Sequence, residues 1–180
     1  VCRMRNTPVI IFINKMDRDG RSPFDLLEEI EQVLGIATYP MTWPIGSGSI
    51  FQGVYHRKTK ELILYDKNQD RSKKISLKGL SLDDPSIEKI LGKEAHQELL
   101  EEIELLEGAG DDFDHERYLK GELAPVFFGS ALNNFGVQTL LEELIDISPE
   151  PRARETKQRQ VHPDEKKFSG FIFKIQGRDF

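Results

Sequence analysis

Cysteine is almost absent from this 180-residue chain, in which Cys2 stands alone. A single thiol excludes an internal disulfide framework and a cysteine-based metal site. Histidine is scarce too. The four, at positions 56, 96, 115 and 162, never fall at the H-x-x-x-H spacing of a helical metal site. No apolar run approaches the roughly 18 residues needed to span a bilayer, and the first residues carry no signal-peptide pattern. Positive charge is the minority sign: 25 Lys and Arg face 31 Asp and Glu, a net charge of −6 with a pI near 5.3. Phosphate contacts need Lys and Arg, so this balance argues against a chain that wraps nucleic acid with its whole surface, though a local basic patch stays open. Apolar residues are plentiful enough for a core, at 38% with 11 Phe. The expectation is a soluble, cytoplasmic protein with no membrane partner. Val1 enters a strand pattern almost at once, and Phe180 follows another apolar run. We read the chain as a piece of a longer protein.

Residues 8–13 (PVIIFI) form a continuous apolar, β-branched run, the pattern of a strand buried on both faces of a parallel sheet. The polar knot NKMDRDG follows. Ser22, Pro23 and Asp25 then read as N-cap, first-turn proline and a capping-box-like acid, with Gly35 as the stop, so a helix is expected between them. From 36 to about 82 the texture turns to Gly, Pro and short strand-like runs. Residues 50–57 and 61–66 flank RKTK as a hairpin, and 66–80 read as loop or weak strand. Asp84-Pro85 opens a short helix ended by Gly92. Residues 93–107 form a longer one, and 114–120 another short one. PVFF (125–128) is a second buried strand, and 137–147 an amphipathic helix closed by Pro149 and Pro151. Residues 152–167 hold six Lys or Arg and three acids, a linker composition. FSGFIFKI (168–175) alternates like the first strand of a separate β domain.

The strongest chemical signal is Asn14-Lys15-Met16-Asp17, directly after the first strand. Many GTPases read guanine with N-K-x-D. An aspartate accepts from both the ring N–H and the exocyclic amine of guanine, an edge adenine does not present. The asparagine amide donates to the other edge of the base and braces the neighbouring loop, and the lysine stem covers one ring face. Three fixed residues arise by chance in only about one chain in fifty of this length. Their place after a buried strand lowers that further, since open α/β sheets bind ligands at the carboxyl ends of strands. A second signal, Gly129-Ser130-Ala131-Leu132, follows the PVFF strand. Ser130 would brace Asp17, the backbone N–H groups at Ala131 would face the keto oxygen of the base, and Leu132 would cover it by apolar contact.

Equally informative is what does not accompany these loops. A phosphate-binding G-x-x-x-x-G-K-[ST] loop is missing. In the only Gly-Lys pair, 92–93, Glu94 follows and Ile87 stands where the first glycine belongs. Asp17-x-x-Gly20 overlaps the base-reading loop and is taken as coincidence. Gly46 and Gly48 make no dinucleotide fingerprint, because Phe51 replaces the third glycine. The chain carries base recognition without the phosphate, magnesium and catalytic parts.

NKMDRDGRSPFDLLEEIE, PMTWPIGSGSIFQGVYHRKTK, PVFFGSALNNFGVQTLLEELIDISPEP and FSGFIFKIQ together resemble the bacterial class II peptide chain release factors, translational GTPases related to elongation factor G. The resemblance covers essentially the whole chain, and TWPIGSGSIFQGVYH is its most discriminating stretch. It implies an α/β fold: part of a P-loop GTPase, with a parallel sheet and flanking helices, carrying an inserted α+β subdomain. Residues 1–35 and 122–150 would be the C-terminal half of the GTPase domain and 36–121 the insertion. Residues 151–167 would be a linker, and 168–180 the first strand of a β-barrel second domain. It further implies GTP or GDP as ligand, with Asn14, Lys15, Asp17, Ser130, Ala131 and Leu132 around the base. Magnesium would be held by residues of the full-length protein outside this segment, where the catalytic residues would also lie. The implied activity is a ribosome-dependent GTPase that promotes dissociation of class I release factors in termination, with this segment inactive alone. An elongation-factor-G-type translocase and a non-hydrolysing guanine-nucleotide sensor or ribosome-docking module are the alternatives. The implied partners are the ribosomal factor-binding site, its stalk protein and, indirectly, class I release factors.

Residues 94–116 hold ten acids and no Lys or Arg. A solvated face is the first reading, and a charge-steered docking surface the second. Asp111, Asp112 and Asp114 lack the distal Glu of a calcium loop. Arg57, Lys58, Lys60 and the 71–78 cations sit on expected hairpin tips, where lysine protects strand edges or meets ribosomal RNA. Trp43 and Tyr55 are expected in the core rather than stacked on bases.

Overall fold

In the computed structural model, residues 7–65, 74–79, 81–108, 112–170, 172 and 174–175 are described. Two compact units divide the chain, 1–147 and 148–180.

Strand β1 (Ile11–Ile13) is followed by helix α1 (Pro23–Leu34). The helix begins where local chemistry dictates. Ser22 is extended, its hydroxyl accepts the Asp25 N–H at 3.1 Å, and Pro23 sits in the first turn. It ends at Gly35, whose φ of 63° is the left-handed conformation that glycine adopts without a Cβ penalty. Strand β2 (Ala37–Pro40) and strand β3 (Thr42–Ile45) come next, then a single 3-10 turn at Gly48–Ile50. The expected hairpin is present as β4 (Gly53–His56) and β5 (Glu61–Tyr65), with Tyr55 opposite Leu62. Strand β6 (Lys74–Leu77) adds to β5; residues 66–73 lie outside the described residues. Helices α2 (Pro85–Leu91), α3 (Lys93–Gly108) and α4 (His115–Leu119) follow close to their expected bounds, with Asp84 and Asp114 as N-caps of α2 and α4. Strand β7 (Leu123–Phe128) and helix α5 (Val137–Ile147) complete the unit.

Two sheets result. The first is parallel, in the order β1-β7-β2, with Ile13 beside Phe128 and Pro40 beside Val126. The second is antiparallel, in the order β3-β4-β5-β6. One segment, 37–45, serves both. Met41 still donates its N–H to the Val126 carbonyl at 2.8 Å. One residue on, the Thr42 hydroxyl accepts the Phe128 N–H at 3.0 Å, a side chain closing the ladder where the strand turns away. Pro44 is tolerated because β3 is the edge of the second sheet. Sequence patterning missed β2 and β3. They are short and proline-bearing, and neither alternates.

β7 is buried along its whole length, as a central parallel strand must be. Val126 and Phe128 join a core with Trp43, Ile45, Leu99 and Ile103, whereas Leu123 and Phe127 join a second cluster with Tyr39 and Met41. Trp43 is fully buried and Tyr55 nearly so, as expected of core residues. Removing a tryptophan of this kind costs about 3–5 kcal/mol.

Two of the hairpin cations, Arg57 and Lys58, are engaged within the fold. Arg57 donates to the carbonyls of Pro40 (3.3 Å) and Leu106 (3.4 Å), so it caps the end of α3, and it lies 4.5 Å over the Tyr39 ring. Lys58 pairs with Glu143 of α5 at 3.2 Å. Arg71 and Lys73 lie outside the described residues.

In the second unit, β8 (Arg154–Glu155) and β9 (Gln160–Val161) form a short antiparallel hairpin within the expected linker. The Thr156 hydroxyl accepts the Arg159 N–H at 3.1 Å, and the Arg159 guanidinium grips Glu165 at 2.6 Å. Of the expected strand at 168–175, residues 171 and 173 lie outside the described residues, and those described carry no strand. Among the described residues no helix is long and apolar enough to cross a membrane.

Candidate functional site

β1 and β7 are parallel neighbours, so the loops that leave their carboxyl ends emerge side by side. The main chains zip them together. Gly129 donates to the Ile13 carbonyl at 3.0 Å, and Met16 donates to the Gly129 carbonyl at 3.0 Å. Only glycine fits at 129: a Cβ there would press on the Phe135 carbonyl and the Phe12 ring. Met16 is buried and anchors the first loop, while Lys15 adopts a left-handed φ of 71°, leaving its side chain exposed.

Five of the six residues singled out from sequence are tied together here. The Asn14 side-chain oxygen accepts the Lys15 N–H at 2.8 Å and, across the chain, the Ala131 N–H at 2.9 Å. The buried Ser130 hydroxyl donates to the Asp17 carboxylate. That bond, ahead of lesser help from Arg18 and Asn133, outweighs slight burial and holds the Asp17 carboxyl below the usual carboxylate range. Asp17 is therefore an ionised, acceptor-only group at neutral pH. Leu132 stands apart, 80% exposed at the tip of its loop. The Ala131 N–H is engaged by the Asn14 side-chain oxygen of the neighbouring loop.

Three supports were not legible from local pattern. The Asn133 amide donates to the Ser130 hydroxyl oxygen at 3.2 Å, so that hydroxyl keeps its proton for Asp17. Gly48 donates its N–H to the Met16 carbonyl at 2.9 Å. Its φ is 60°, and a Cβ would collide with the Asp19 carboxylate. Ser130 and Phe135 exchange both main-chain hydrogen bonds, at 3.0 and 2.9 Å, which closes the second loop. Among the described residues no group of three His, Cys, Asp or Glu side chains is placed to hold a metal ion.

Two loops brought together at the carboxyl ends of adjacent parallel strands stand where open α/β domains bind their ligands. Residues 1–150 match the family model of the elongation factor Tu GTP binding domain, and the chain belongs to that family. It is 48% identical over 176 residues to Peptide chain release factor 3 of Symbiobacterium thermophilum, which bears out the resemblance to class II release factors. That match covers 98% of this chain and 33% of the relative, so the chain spans about a third of the relative's length. A crystal structure of a protein from Thermus thermophilus superposes with a TM-score of 0.52 at 23% identity, over 81% of this chain and 23% of that one. This supports the expected α/β class and the partial P-loop GTPase fold.

Proposed function

We propose that this chain is the guanine-base-reading part of a ribosome-dependent GTPase that acts in translation termination, in the cytoplasm, by promoting dissociation of class I release factors. The observation that carries the guanine reading is the hydrogen-bonded junction of Asn14 with Ala131 and of Asp17 with Ser130, across more than a hundred residues of chain. Asp17 accepts from the two donors on one edge of guanine. Ser130 fixes its carboxylate, Lys15 lays its stem along the ring, and Leu132 covers the base from the second loop. The Asn14 amide nitrogen is left to donate to the base, because its oxygen is already spent on the two loops. The Ala131 N–H is shared between Asn14 and the keto oxygen.

The residues fit GTP or GDP at the base alone. The groups that would hold the phosphates, magnesium and the attacking water are proposed to lie outside this chain. In this reading, residues 1–35 and 122–150 are the C-terminal half of a GTPase domain. Residues 36–121 are the insertion, with β2 joining the first sheet from its head. Residues 151–167 are the linker, and 168–180 begin a β-barrel domain. The termination role is supported by the likeness to a protein named Peptide chain release factor 3 and by the W-P-I-G-x-G segment at 43–48. The partners are then the ribosomal factor-binding site and stalk protein and, indirectly, class I release factors.

The test uses the full-length protein. It should bind GDP far more tightly than ADP and speed the release of a class I factor from terminated ribosomes in a GTP-dependent manner. Equal affinity for GDP and ADP overturns the base assignment. Guanine-specific binding without accelerated release overturns the termination role alone.

A further inference from the structure

The geometry points to Tyr65, at the end of β5 in the inserted segment, as a positioning residue for the base-reading aspartate. Tyr65 stacks on Phe135 with ring centroids 4.3 Å apart and planes inclined by 27°. Its hydroxyl accepts the Gly136 N–H at 2.6 Å. Both contacts fall on the return leg of the second loop, the two residues that carry it into α5.

That leg is what closes the loop. The ends of residues 131–134 are joined by an isolated bridge, the pair of main-chain bonds between Ser130 and Phe135, around an inner turn bond from the Asn134 N–H to the Ala131 carbonyl. The Ser130 hydroxyl in turn donates to Asp17. A short relay therefore runs from the insertion to the carboxylate: Tyr65 fixes Phe135 and Gly136, Phe135 fixes Ser130, and Ser130 fixes Asp17. A tyrosine present only for packing would need the ring and not the hydroxyl. Here the hydroxyl meets the N–H of Gly136, whose φ of 76° is a left-handed conformation that glycine reaches without a Cβ penalty. The same insertion reaches the first loop independently, through the Gly48 N–H and the Met16 carbonyl. Both loops are thus braced by the inserted segment, from Gly48 on one side and Tyr65 on the other.

The proposal rests on the guanine-reading role of Asp17, and the experiment separates the two. Full-length wild type, Tyr65→Phe, Tyr65→Leu and Asp17→Asn are titrated with GDP and with inosine diphosphate. Hypoxanthine keeps the ring N–H and lacks the exocyclic amine, while the phosphates are identical. The ratio of the two affinities therefore reads carboxylate alignment, and overall stability or phosphate grip cancels. Folding is checked by the far-ultraviolet circular dichroism of each variant. Tyr65→Phe keeps the stack and loses the hydroxyl; it should lower the GDP preference by about threefold, and Tyr65→Leu by about tenfold, the range one to two net hydrogen bonds command. Inosine diphosphate affinity should stay within about twofold. If wild type prefers GDP and both Tyr65 variants keep that preference, or lose both nucleotides in step, the positioning role falls and the guanine reading stands. If wild type does not prefer GDP and Asp17→Asn changes nothing, the guanine reading falls and takes the positioning role with it.

Discussion

The indole N–H of Trp43 donates to the Glu102 carboxylate at 2.7 Å, joining β3 to the acidic helix α3. The same indole lies 4.7 Å from Phe24 of α1 and 5.5 Å from Phe128 of β7. Those are the elements that follow the first loop of the candidate site and precede the second. Trp43 thus fastens α3 to the parallel sheet, beside the Arg57 bridge from Leu106 to Pro40.

Glu102 is the residue to change. Burial pushes its carboxyl up from the usual range, the Trp43 bond offsets part of that, and Glu98 adds to it. A raised acid binds more protons folded than unfolded just above its ordinary value of 4.5, so its contribution to stability falls as pH rises through that window. Glu102→Gln keeps an acceptor for the indole and removes the charge; its stability at pH 7 should match or exceed wild type. Glu102→Ala strands a buried indole N–H, at a cost of about 1–3 kcal/mol. Chemical denaturation followed by Trp43 emission separates them, and equal losses in both variants would show that charge, not the acceptor, matters.

Because Glu102 faces inward, the solvent-facing acids of α3 are Glu94, Glu98, Glu101, Glu104 and Glu107. If this face steers a basic partner on the ribosome, Glu98→Lys with Glu101→Lys should slow ribosome-stimulated GTP turnover of the full-length protein, on the order of tenfold at low salt. The defect should shrink as salt rises, since screening suppresses steering. Nucleotide affinity in the absence of ribosomes should not move. Unaltered stimulation at low salt would leave the face as solvation alone.

The helices and the two loops of the candidate site were legible in the sequence because their signals are local. Ser22-Pro23 and Asp84-Pro85 announce helix starts by side-chain capping, and N-K-x-D lies within four residues. The joint between the two sheets was not legible. It depends on the Thr42 hydroxyl reaching Phe128, 86 positions away, and on a strand too short and proline-bearing to show a period. The supports of the site failed for the same reason. Tyr65 and Gly136 are 71 residues apart, and nothing in either neighbourhood marks the pair. The cations of the hairpin tip illustrate the converse. Charge alone does not say which groups Arg57 and Lys58 meet within the fold; packing brings Arg57 to the end of α3 and Lys58 to Glu143.

His56 and Glu143 provide a pH-dependent element at that same joint. His56 is buried in β4, its Nε2 lies 3.3 Å from the equally buried Glu143 of α5, and its Nδ1 accepts the Thr59 N–H at 3.3 Å. Two ring nitrogens so used describe a neutral imidazole donating to a carboxylate. Burial is the main cause that keeps the His56 pKa below 6.5; Glu143 and Glu61 push upward, and Lys58 downward. The unfolded chain then binds more protons than the folded one between the lowered value and 6.5. Stability is full above that window and is lost as pH falls through it, by up to about 1.4 kcal/mol per unit for one proton. Denaturation midpoints between pH 7.5 and 5.5 should fall in wild type and flatten in His56→Gln. An identical slope in both would assign the effect to other groups.

Asp17→Asn is the decisive substitution for the site. The Asp17 carboxylate is ionised, fixed by Ser130, and able only to accept. Asparagine keeps its size but sets an amide N–H against one of two adjacent donors on guanine. Each opposed or unpaired polar group costs about 1–3 kcal/mol, and more where charge is lost. Sites built around one polar edge discriminate by roughly 10⁴-fold or more. Xanthine carries a keto oxygen where guanine carries its exocyclic amine, and so offers an acceptor to the new amide. In the full-length protein, Asp17→Asn should therefore lose GDP affinity by several orders of magnitude and gain affinity for xanthosine diphosphate. Competition between the two nucleotides on wild type and variant measures both changes at once. Should the variant bind GDP as wild type does, Asp17 does not read the base, and the roles given to Asn14 and Ser130 around it fall as well.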